Sequence, residues 1–274
     1  MWRPVSGGWV AAAGCLCWFA KYTCAQTNIQ VKAEMETCLV CGTETRCIFE
    51  KDGFPIHQCP RCDYLCVSPR PAVDVIVAHY ASSYRQATET FYPKAGSKKW
   101  RSFWRSLVFV PYIVGKRVLD LGCGGGFMVQ ALGRFAREAV GTDISENSIA
   151  YARRNFPGHN FFAESLSSFA SRDEKFDFVF SSEVLEHVLD PREFVAVVSG
   201  CLRLGGLAFI SAPAAGHPAT PKDLKVWTDI CPPEHLQWFN LHNLVWLFAE
   251  HGLVPYRRIS SKTPSHSVLF QKVA

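Results

Sequence analysis

The run from Val118 to Gly126, VLDLGCGGG, constrains the fold more than any other part of the chain. Its apolar start predicts a buried strand that ends at Leu121, and the glycines that follow predict a tight turn into a helix. Because glycine has no Cβ atom, such a turn can adopt positive φ and approach a ligand closely. The spacing G-x-G-x-G puts Phe127 where the dinucleotide fingerprint G-x-G-x-x-G requires glycine. An NAD-type site is therefore disfavoured.

Strands and helices alternate regularly around this turn. The predicted strands are residues 117–121, 139–142, 160–163, 176–181, 207–212, 255–259 and 268–273. Helix caps are predicted at Ser145, Asp190 and Asn240, and Pro191 suits a first helical position. This alternation indicates βαβ units and a mostly parallel sheet, hence an α/β fold. Ligands bind beyond the carboxyl ends of the strands in such sheets, and Asp143 at the end of the second strand can accept the two hydroxyls of a ribose.

Two Cys-x-x-Cys pairs precede this region, formed by Cys38 and Cys41 and by Cys59 and Cys62, with 17 residues between the pairs. Pairs at this distance are typical of tetrahedral zinc. Four thiolates leave no open coordination position, so the expected zinc is structural. Cys66 is an alternative fourth ligand, and redox chemistry by either pair is a further alternative.

Composition limits the classes of protein and of partner that fit this chain. The chain has 274 residues, 48% of them hydrophobic, a net charge of +5 and 12 cysteines. This balance indicates a globular protein in a reducing compartment, and we expect it in the cytoplasm with no membrane partner. The charge is too small to indicate a dedicated nucleic-acid binder. We interpret the basic and aromatic residues of segment 98–105 as a solvated helix face whose aromatic side chains lie in the core, and binding of phosphates or an anionic substrate is the alternative.

Sequence divides the chain into four parts. Residues 1–34 are interpreted as an extension before a natural start at Met35, although the apolar stretch Trp9 to Ala20 imitates a secretory signal and a genuine signal or anchor is an alternative. Residues 35–70 form the cysteine-rich module. Residues 71–115 read as helical, with Val73, Ile76, Val77 and Tyr80 at helical spacing. Residues 116–274 form the α/β domain.

Five motifs between about residues 116 and 260 resemble class I S-adenosylmethionine (SAM)-dependent methyltransferases. They are VLDLGCGGG, VGTDIS, AES, FDFVFSSEVLEHVLDP and LRLGGLAFISAP. The resemblance implies a Rossmann-like fold with a mostly parallel seven-stranded sheet and SAM as cofactor. It implies cofactor contacts by Asp120, Gly122, Cys123, Gly124, Gly126, Phe127, Asp143, Ile144, Glu164, Ser165, Ser181 and Glu183.

Two Glu-His pairs are candidates for the chemistry of methyl transfer. The EVLEH run resembles ubiquinone-type O-methyltransferases, in which the positions of Glu183, Glu186 and His187 are implicated in binding a divalent metal; the alternative is a helix start packed under the cofactor. The run EHLQWF, with Glu234 and His235, resembles the EHLxYF run of sugar C-methyltransferases. Because histidine titrates near neutrality, His235 is a candidate general base, and ordering of the proline-rich loop before it is the alternative role.

These observations lead to one expected function and two alternatives. We expect an enzyme that moves a methyl group from SAM to the hydroxyl or carbon of a small-molecule acceptor such as a sugar. The first alternative is a methyltransferase for RNA or protein that uses the cysteine-rich module for recognition, and a basic stripe that borders the cleft would favour it. The second is a non-catalytic scaffold.

Overall fold

The computed structural model describes residues 36–76, 92 and 94–274. The larger of its two sheets has seven strands: β4 Arg117–Leu121, β5 Glu138–Asp143, β6 Asn160–Ala163, β7 Phe176–Ser182, β8 Leu202–Pro213, β10 Leu253–Arg258 and β11 Ser265–Lys272. Their order is β10-β11-β8-β7-β4-β5-β6, and β11 runs antiparallel to both of its neighbours. The predicted α/β fold with a mostly parallel seven-stranded sheet is confirmed.

The helices of this domain connect the parallel strands. They are α3 Phe127–Leu132, α4 Glu146–Asn155, α5 Leu166–Ala170, α6 Pro191–Cys201 and α7 Leu241–Ala249. The side chains of Ser145, Asp190 and Asn240 each accept a backbone N–H of the first turn, as their sequences predicted. Strand β8 is longer than predicted and begins directly after α6. The early residues of β8 are exposed, which weakened the apolar signal there.

The smaller sheet takes its strands from both ends of the chain. It consists of β1 Arg46–Lys51, β2 Phe54–Gln58, β3 Leu65–Val67 and β9 Gln237–Trp238, in that order. Strand β9 pairs antiparallel with β3. This sheet therefore crosses the boundaries predicted between residues 35–70 and 116–274, so the cysteine-rich module is continuous with the α/β domain.

Helices also occupy the segment predicted to be helical. Residues 73–76 are helical, and α1 Ala95–Ser106 continues through a 3₁₀ turn, Leu107–Phe109, into α2 Val110–Ile113. Val77, Tyr80 and the extension 1–34 lie outside the described residues. No helix in the described parts of the chain is long and apolar enough to span a bilayer.

The aromatic side chains of α1 do not lie where the sequence placed them. Trp100 is 64% exposed and Trp104 is 53% exposed, whereas Phe109, just beyond the helix, is 1% exposed and packs on the sheet. The prediction that the aromatics of segment 98–105 lie in the core was wrong for both tryptophans. A helix buries only the arc of residues that faces its neighbours, and the two tryptophans, four residues apart, lie on the opposite arc.

Candidate functional site

The glycine-rich turn after β4 has the backbone that its sequence predicted. Gly122, Gly124 and Gly126 have φ angles of +83°, +50° and +78°, a region that residues with a side chain rarely adopt. A Cβ atom at Gly122 would overlap the side chain of Val184, which follows β7. The turn and the segment after β7 therefore pack directly on each other, without room for a side chain at Gly122.

Asp143, at the carboxyl end of β5, joins the two neighbouring loops. Its Oδ2 accepts the backbone N–H of Gly124 at 2.8 Å, and its Oδ1 accepts that of Ser145 at 2.9 Å. A carboxylate has about four acceptor positions, so both oxygens can also accept ligand hydroxyls. Next to it, Ile144 is 78% exposed and offers an apolar surface beside the carboxylate.

Glu164 lies one strand farther along the sheet. Its N–H bonds the carbonyl of Asp143 at 3.1 Å, and its Oε1 pairs with Arg172 at 2.9 Å. Its Oε2 is buried and has no hydrogen-bond partner in the structure. The carboxylate is therefore positioned beside Asp143 with one acceptor oxygen still unsatisfied.

Asp120 lies under the turn and is 3% exposed. Burial and, second, the negative charge of Asp143 raise the pKa of Asp120 to about 8, while Arg105 opposes this rise. Arg105 reaches over from α1 and donates to the hydroxyl of Ser182 at 2.9 Å. It was not among the residues expected at the site, because sequence gave no means to tell which basic residue of segment 98–105 turns inward.

An aromatic group covers the turn from one side. Phe127 packs edge to face with Tyr92 at 5.2 Å between ring centroids, and Tyr92 lies 4.6 Å from the ring of Tyr151. A Cβ atom at Gly125 would lie 2.6 Å from the ring of Tyr92. Tyr92 was missed by sequence reasoning because an isolated tyrosine outside any motif carries no signal.

Three expected cofactor contacts are committed elsewhere through their side chains. Ser181 is 1% exposed and donates to the carbonyl of Leu121 inside the sheet, and Ser165 accepts the N–H of Ser168 as the cap of α5. The thiol of Cys123 lies against the position of Gly141, and burial, together with the nearby Asp120, raises its pKa well above the ordinary value. These side chains support the loops that form the candidate site.

A second group of polar side chains lies beside Val184. The ligand atoms of Glu186, His187 and His235 all lie within 4.8 Å of one another, although His235 is 48 positions beyond His187 in the chain. The imidazole rings lie 4.7 Å apart at 77°. The structure thus unites the two Glu-His motifs. Glu183 lies close enough to Glu186 to influence its pKa, and it also accepts from the hydroxyl of Ser211 at 2.8 Å.

Backbone carbonyls orient both rings of this group. Nδ1 of His187 donates to the carbonyl of Glu234 at 2.8 Å, and Nδ1 of His235 donates to the carbonyl of Asp229 at 2.6 Å. A carbonyl can only accept, so the proton of each neutral ring is on Nδ1 and the lone pair is on Nε2. Glu234 contributes its backbone here. A ring nitrogen with a lone pair can remove a proton or bind a metal.

Glu186 is 1% exposed, and neither carboxylate oxygen has a hydrogen-bond partner in the structure. Burial and, second, the negative charge of Glu183 raise the pKa of Glu186 well above its ordinary value. Burying a carboxylate without hydrogen-bond donors destabilises the fold, and binding of a proton or a cation to its oxygens would reduce this destabilisation. The donor set of one carboxylate and two imidazoles suits a divalent transition metal.

Glu186→Gln is expected to raise the melting temperature of the metal-free protein at neutral pH. A carboxyl whose pKa is raised by folding loses stability as the pH rises above about 4.3, where an unfolded glutamate ionises, and glutamine removes this loss. The gain should therefore disappear in acid. Thermal unfolding measured across pH tests this, with Glu50→Gln, at an exposed glutamate in β1, as control; a gain independent of pH would contradict it.

The four cysteines of the two pairs form a second candidate metal centre. The sulfur atoms of Cys38 and Cys62 lie 3.6 Å apart, those of Cys41 and Cys59 lie 3.4 Å apart, and all four lie within 4.8 Å of one another. Zinc bonds of about 2.3 Å in a tetrahedron separate the sulfurs by about 3.8 Å. The cluster therefore fits zinc. Cys66, in β3, is not part of it.

A buried polar network links this cluster to the Glu-His group. Gln237 is fully buried, and its Oε1 accepts from the hydroxyl of Tyr64 and from Arg70, each at 2.6 Å. Its Nε2 donates to the carbonyls of Leu185 and Val188 at 2.6 and 3.0 Å. Tyr64 and Arg70 follow the second cysteine pair, so the cysteine module holds both loops that carry the Glu-His group.

The order of strands, with the glycine-rich turn after the central strand β4 and an acidic residue after β5, defines the class I fold of SAM-dependent methyltransferases. The family model described as a methyltransferase domain matches residues 79–257, which is more than half of the chain. The chain belongs to this methyltransferase family.

Known relatives agree with this class. The chain is 36% identical over 101 residues to the ubiquinone biosynthesis O-methyltransferase of Sinorhizobium fredii, an alignment that covers 35% of this chain and 41% of the relative. The corresponding protein of Mesorhizobium japonicum is 37% identical over 101 residues, with 35% and 41% covered. The chain thus spans about two fifths of the length of these curated relatives.

Solved structures share the fold at low sequence identity. The magnesium protoporphyrin IX methyltransferase of Synechocystis PCC 6803 with bound SAH superposes with a TM-score of 0.55 at 17% identity, covering 73% of this chain and 99% of that one. A SAM-dependent methyltransferase of Mesorhizobium loti gives 0.51 at 19% identity, covering 62% and 97%.

Proposed function

We propose that the protein transfers a methyl group from SAM to a small-molecule acceptor. The observation that carries this proposal is the position of His235, whose Nε2 lone pair lies with Glu186 and His187, and that pair follows Val184, whose side chain packs on the glycine-rich turn. In the reaction the acceptor oxygen or carbon attacks the methyl carbon, the bond from that carbon to sulfur breaks, and S-adenosylhomocysteine leaves. Because SAM is already activated, alignment supplies much of the rate. A base must take the proton of a hydroxyl or carbon acid.

Residues around the turn would hold the cofactor. We propose that Asp143 accepts the ribose hydroxyls, that Ile144 and Glu164 contact the adenine, and that the backbones of Gly122, Cys123 and Gly124 face the methionine part. The positive end of α3 and the absence of side chains at these glycines favour such an approach. Asp120 and Phe127 shape the turn from below and from the side.

Asp143→Asn is expected to weaken SAM binding about tenfold or more, because a hydrogen bond to a charged group contributes about 1.5–3 kcal/mol. Asparagine has nearly the same shape, so the loss would report the charge. Titration calorimetry measures the affinity. Asp173→Asn, at an exposed turn, is the control. Unchanged affinity in Asp143→Asn would refute the ribose assignment.

We propose His235 as the general base and Glu186 and His187 as its neighbours in the acceptor site. The same three side chains fit a divalent cation, which would lower the pKa of an acceptor hydroxyl bound to it. In either case Nδ1 of each ring stays bonded to its carbonyl, so the ring orientation is set before the acceptor binds. We propose that Glu234 is a positioning residue, because its backbone carbonyl accepts from Nδ1 of His187 and so orients that ring.

We also propose that Cys38, Cys41, Cys59 and Cys62 bind one structural zinc. The fit of the sulfur cluster to a tetrahedron supports it, as does the N–H of Val40, which donates to the sulfur of Cys38 at 3.4 Å. Such backbone donors compensate part of the thiolate charge. We further propose the cytoplasm as the location, because SAM is made and used inside cells.

A macromolecular acceptor is the second candidate, and one observation favours it. Helix α1 borders the site and is basic: Arg105 donates to Ser182 at the end of β7, and Lys98 lies 5.0 Å from the ring of Tyr92. Incubation of the protein with methyl-labelled SAM and a cell extract, then separation into metabolites, RNA and protein, distinguishes the candidates. Label in a small metabolite supports the first; label only in RNA or protein supports the second; no label with intact SAM binding indicates a non-catalytic scaffold.

A further inference from the structure

The outward face of α1 and the segment after it carries apolar side chains on the surface. Trp100, Trp104 and Val108 are 64%, 53% and 50% exposed, and Val114 beyond them is 61% exposed. The first three follow at intervals of four residues, so they form one stripe. The two indoles contact each other at 6.0 Å between centroids. We refer to Trp100, Trp104 and Val108 as the Trp stripe.

The segment of the chain that contains the Trp stripe is strongly basic. Between Lys94 and Arg137 the chain has nine lysines and arginines against one acidic residue, the buried Asp120. The basic residues are Lys94, Lys98, Lys99, Arg101, Arg105, Lys116, Arg117, Arg134 and Arg137. Arg117 is paired with Glu138 and Glu174, whereas Lys94, Lys99 and Arg101 are exposed on or beside α1, and we refer to these three as the basic flanks. The net charge of the whole chain is only +5, so positive charge is concentrated in this segment.

The inward face of α1 is already occupied by contacts within the protein. Lys98 lies over the ring of Tyr92, Lys99 lies over that of Phe156, and Arg134, in the turn after α3, lies over Phe103. These contacts fix the helix on the domain with the Trp stripe turned away from it. The stripe is therefore held in position without covering any of the described core.

We propose that the Trp stripe and its basic flanks bind the surface of a membrane that contains anionic lipids. Tryptophan prefers the boundary between lipid headgroups and acyl chains, and lysine and arginine are attracted by anionic headgroups. A helix with an apolar stripe and a basic remainder is typical of such peripheral contact. This proposal departs from the sequence-based expectation of no membrane partner, and it does not depend on the reaction.

Two other occupants match the surface less well. Single-stranded RNA could stack on the indoles, but Val108 and Val114 have no aromatic face for a base. A second copy of the chain would place the same basic segment opposite itself in a symmetric dimer, and like charges would repel.

Sedimentation of the full-length protein with lipid vesicles tests the proposal. We expect binding to vesicles of phosphatidylcholine mixed with phosphatidylglycerol, little binding to phosphatidylcholine alone, and release by high salt. The Trp100→Ser/Trp104→Ser variant should partition about tenfold less, because two interfacial anchors are lost. Leu204→Ser/Val226→Ser, at residues 73% and 65% exposed, is the matched control and should bind like the parent. Unchanged SAM affinity shows that each variant is folded.

Several outcomes would overturn the proposal. Equal binding of the tryptophan variant and the parent would place the membrane contact elsewhere in the chain. Equal binding to neutral and anionic vesicles would show that the basic flanks do not contribute to membrane binding. Tryptophan-dependent binding of a single-stranded RNA, measured by fluorescence anisotropy, without vesicle binding would identify a nucleic-acid surface instead.

Discussion

His235→Ala is expected to lower kcat for methyl transfer about 10²–10⁴-fold, the usual contribution of a general base, and to leave SAM affinity unchanged. The physical reason is that Nε2 of His235 carries the lone pair while Nδ1 is bonded to the carbonyl of Asp229. The loss should shrink with a more acidic acceptor, which needs less help to lose its proton. Steady-state kinetics with a series of acceptors and calorimetry with SAM measure the two effects. His242→Ala, at an exposed histidine on α7, is the control.

The same variant separates the role of base from two other roles. If His235 only orders the proline-rich loop, the KM for the acceptor should rise, and the acidity of the acceptor should not matter. If the Glu-His group binds a divalent cation, His235→Ala and Glu186→Gln should both abolish binding of Mn²⁺ measured by calorimetry. Wild-type kcat and KM in His235→Ala would eliminate both the base and the loop role and direct attention to His187.

Cys59→Ser is expected to remove zinc from the protein, from one ion per chain to none, and to destabilise the smaller sheet by several kcal/mol, because binding of structural zinc is coupled to folding. Methyl transfer should fall sharply even though none of the four clustered cysteines belongs to the Glu-His group. The reason is the network from Tyr64 and Arg70 through Gln237 to the loop of Glu186. Metal analysis, thermal unfolding and kinetics measure the three effects.

Two other cysteines serve as controls for this prediction. Cys47→Ser, at an exposed thiol in β1, should change nothing, and Cys66→Ser should retain zinc because Cys66 lies outside the cluster. SAM affinity should be nearly unchanged in Cys59→Ser, since Asp143 and the glycine-rich turn belong to the other sheet. Full zinc content in Cys59→Ser, or loss of zinc in Cys66→Ser, would contradict the assignment of the four ligands.

Much of the geometry of the candidate cofactor site could be predicted, because it depends on local sequence. The positive φ of Gly122, Gly124 and Gly126 follows from the glycines themselves, and the position of Asp143 follows from the length of the helix and strand before it. The places of Arg105 and Tyr92 in the candidate site could not be predicted. They depend on how α1, and Tyr92 three positions before it, lie against the sheet and the glycine-rich turn. The direction of the Ser181 hydroxyl could not be predicted either, because the alternation of the strand turns it toward the carbonyl of Leu121.

The sequence by itself determined the αβ alternation, the helix caps, the glycine-rich turn and the two cysteine pairs, because each depends on residues only a few positions apart. Tertiary structure alone decided three other features. It paired β3 with β9, it brought His235 to Glu186 and His187, and it turned Trp100 and Trp104 outward. Each of these depends on contacts, or their absence, between segments that are distant in the chain. Such contacts depend on which faces of distant strands and helices pack against each other. The spacing of residues within one segment does not specify the partner of that segment.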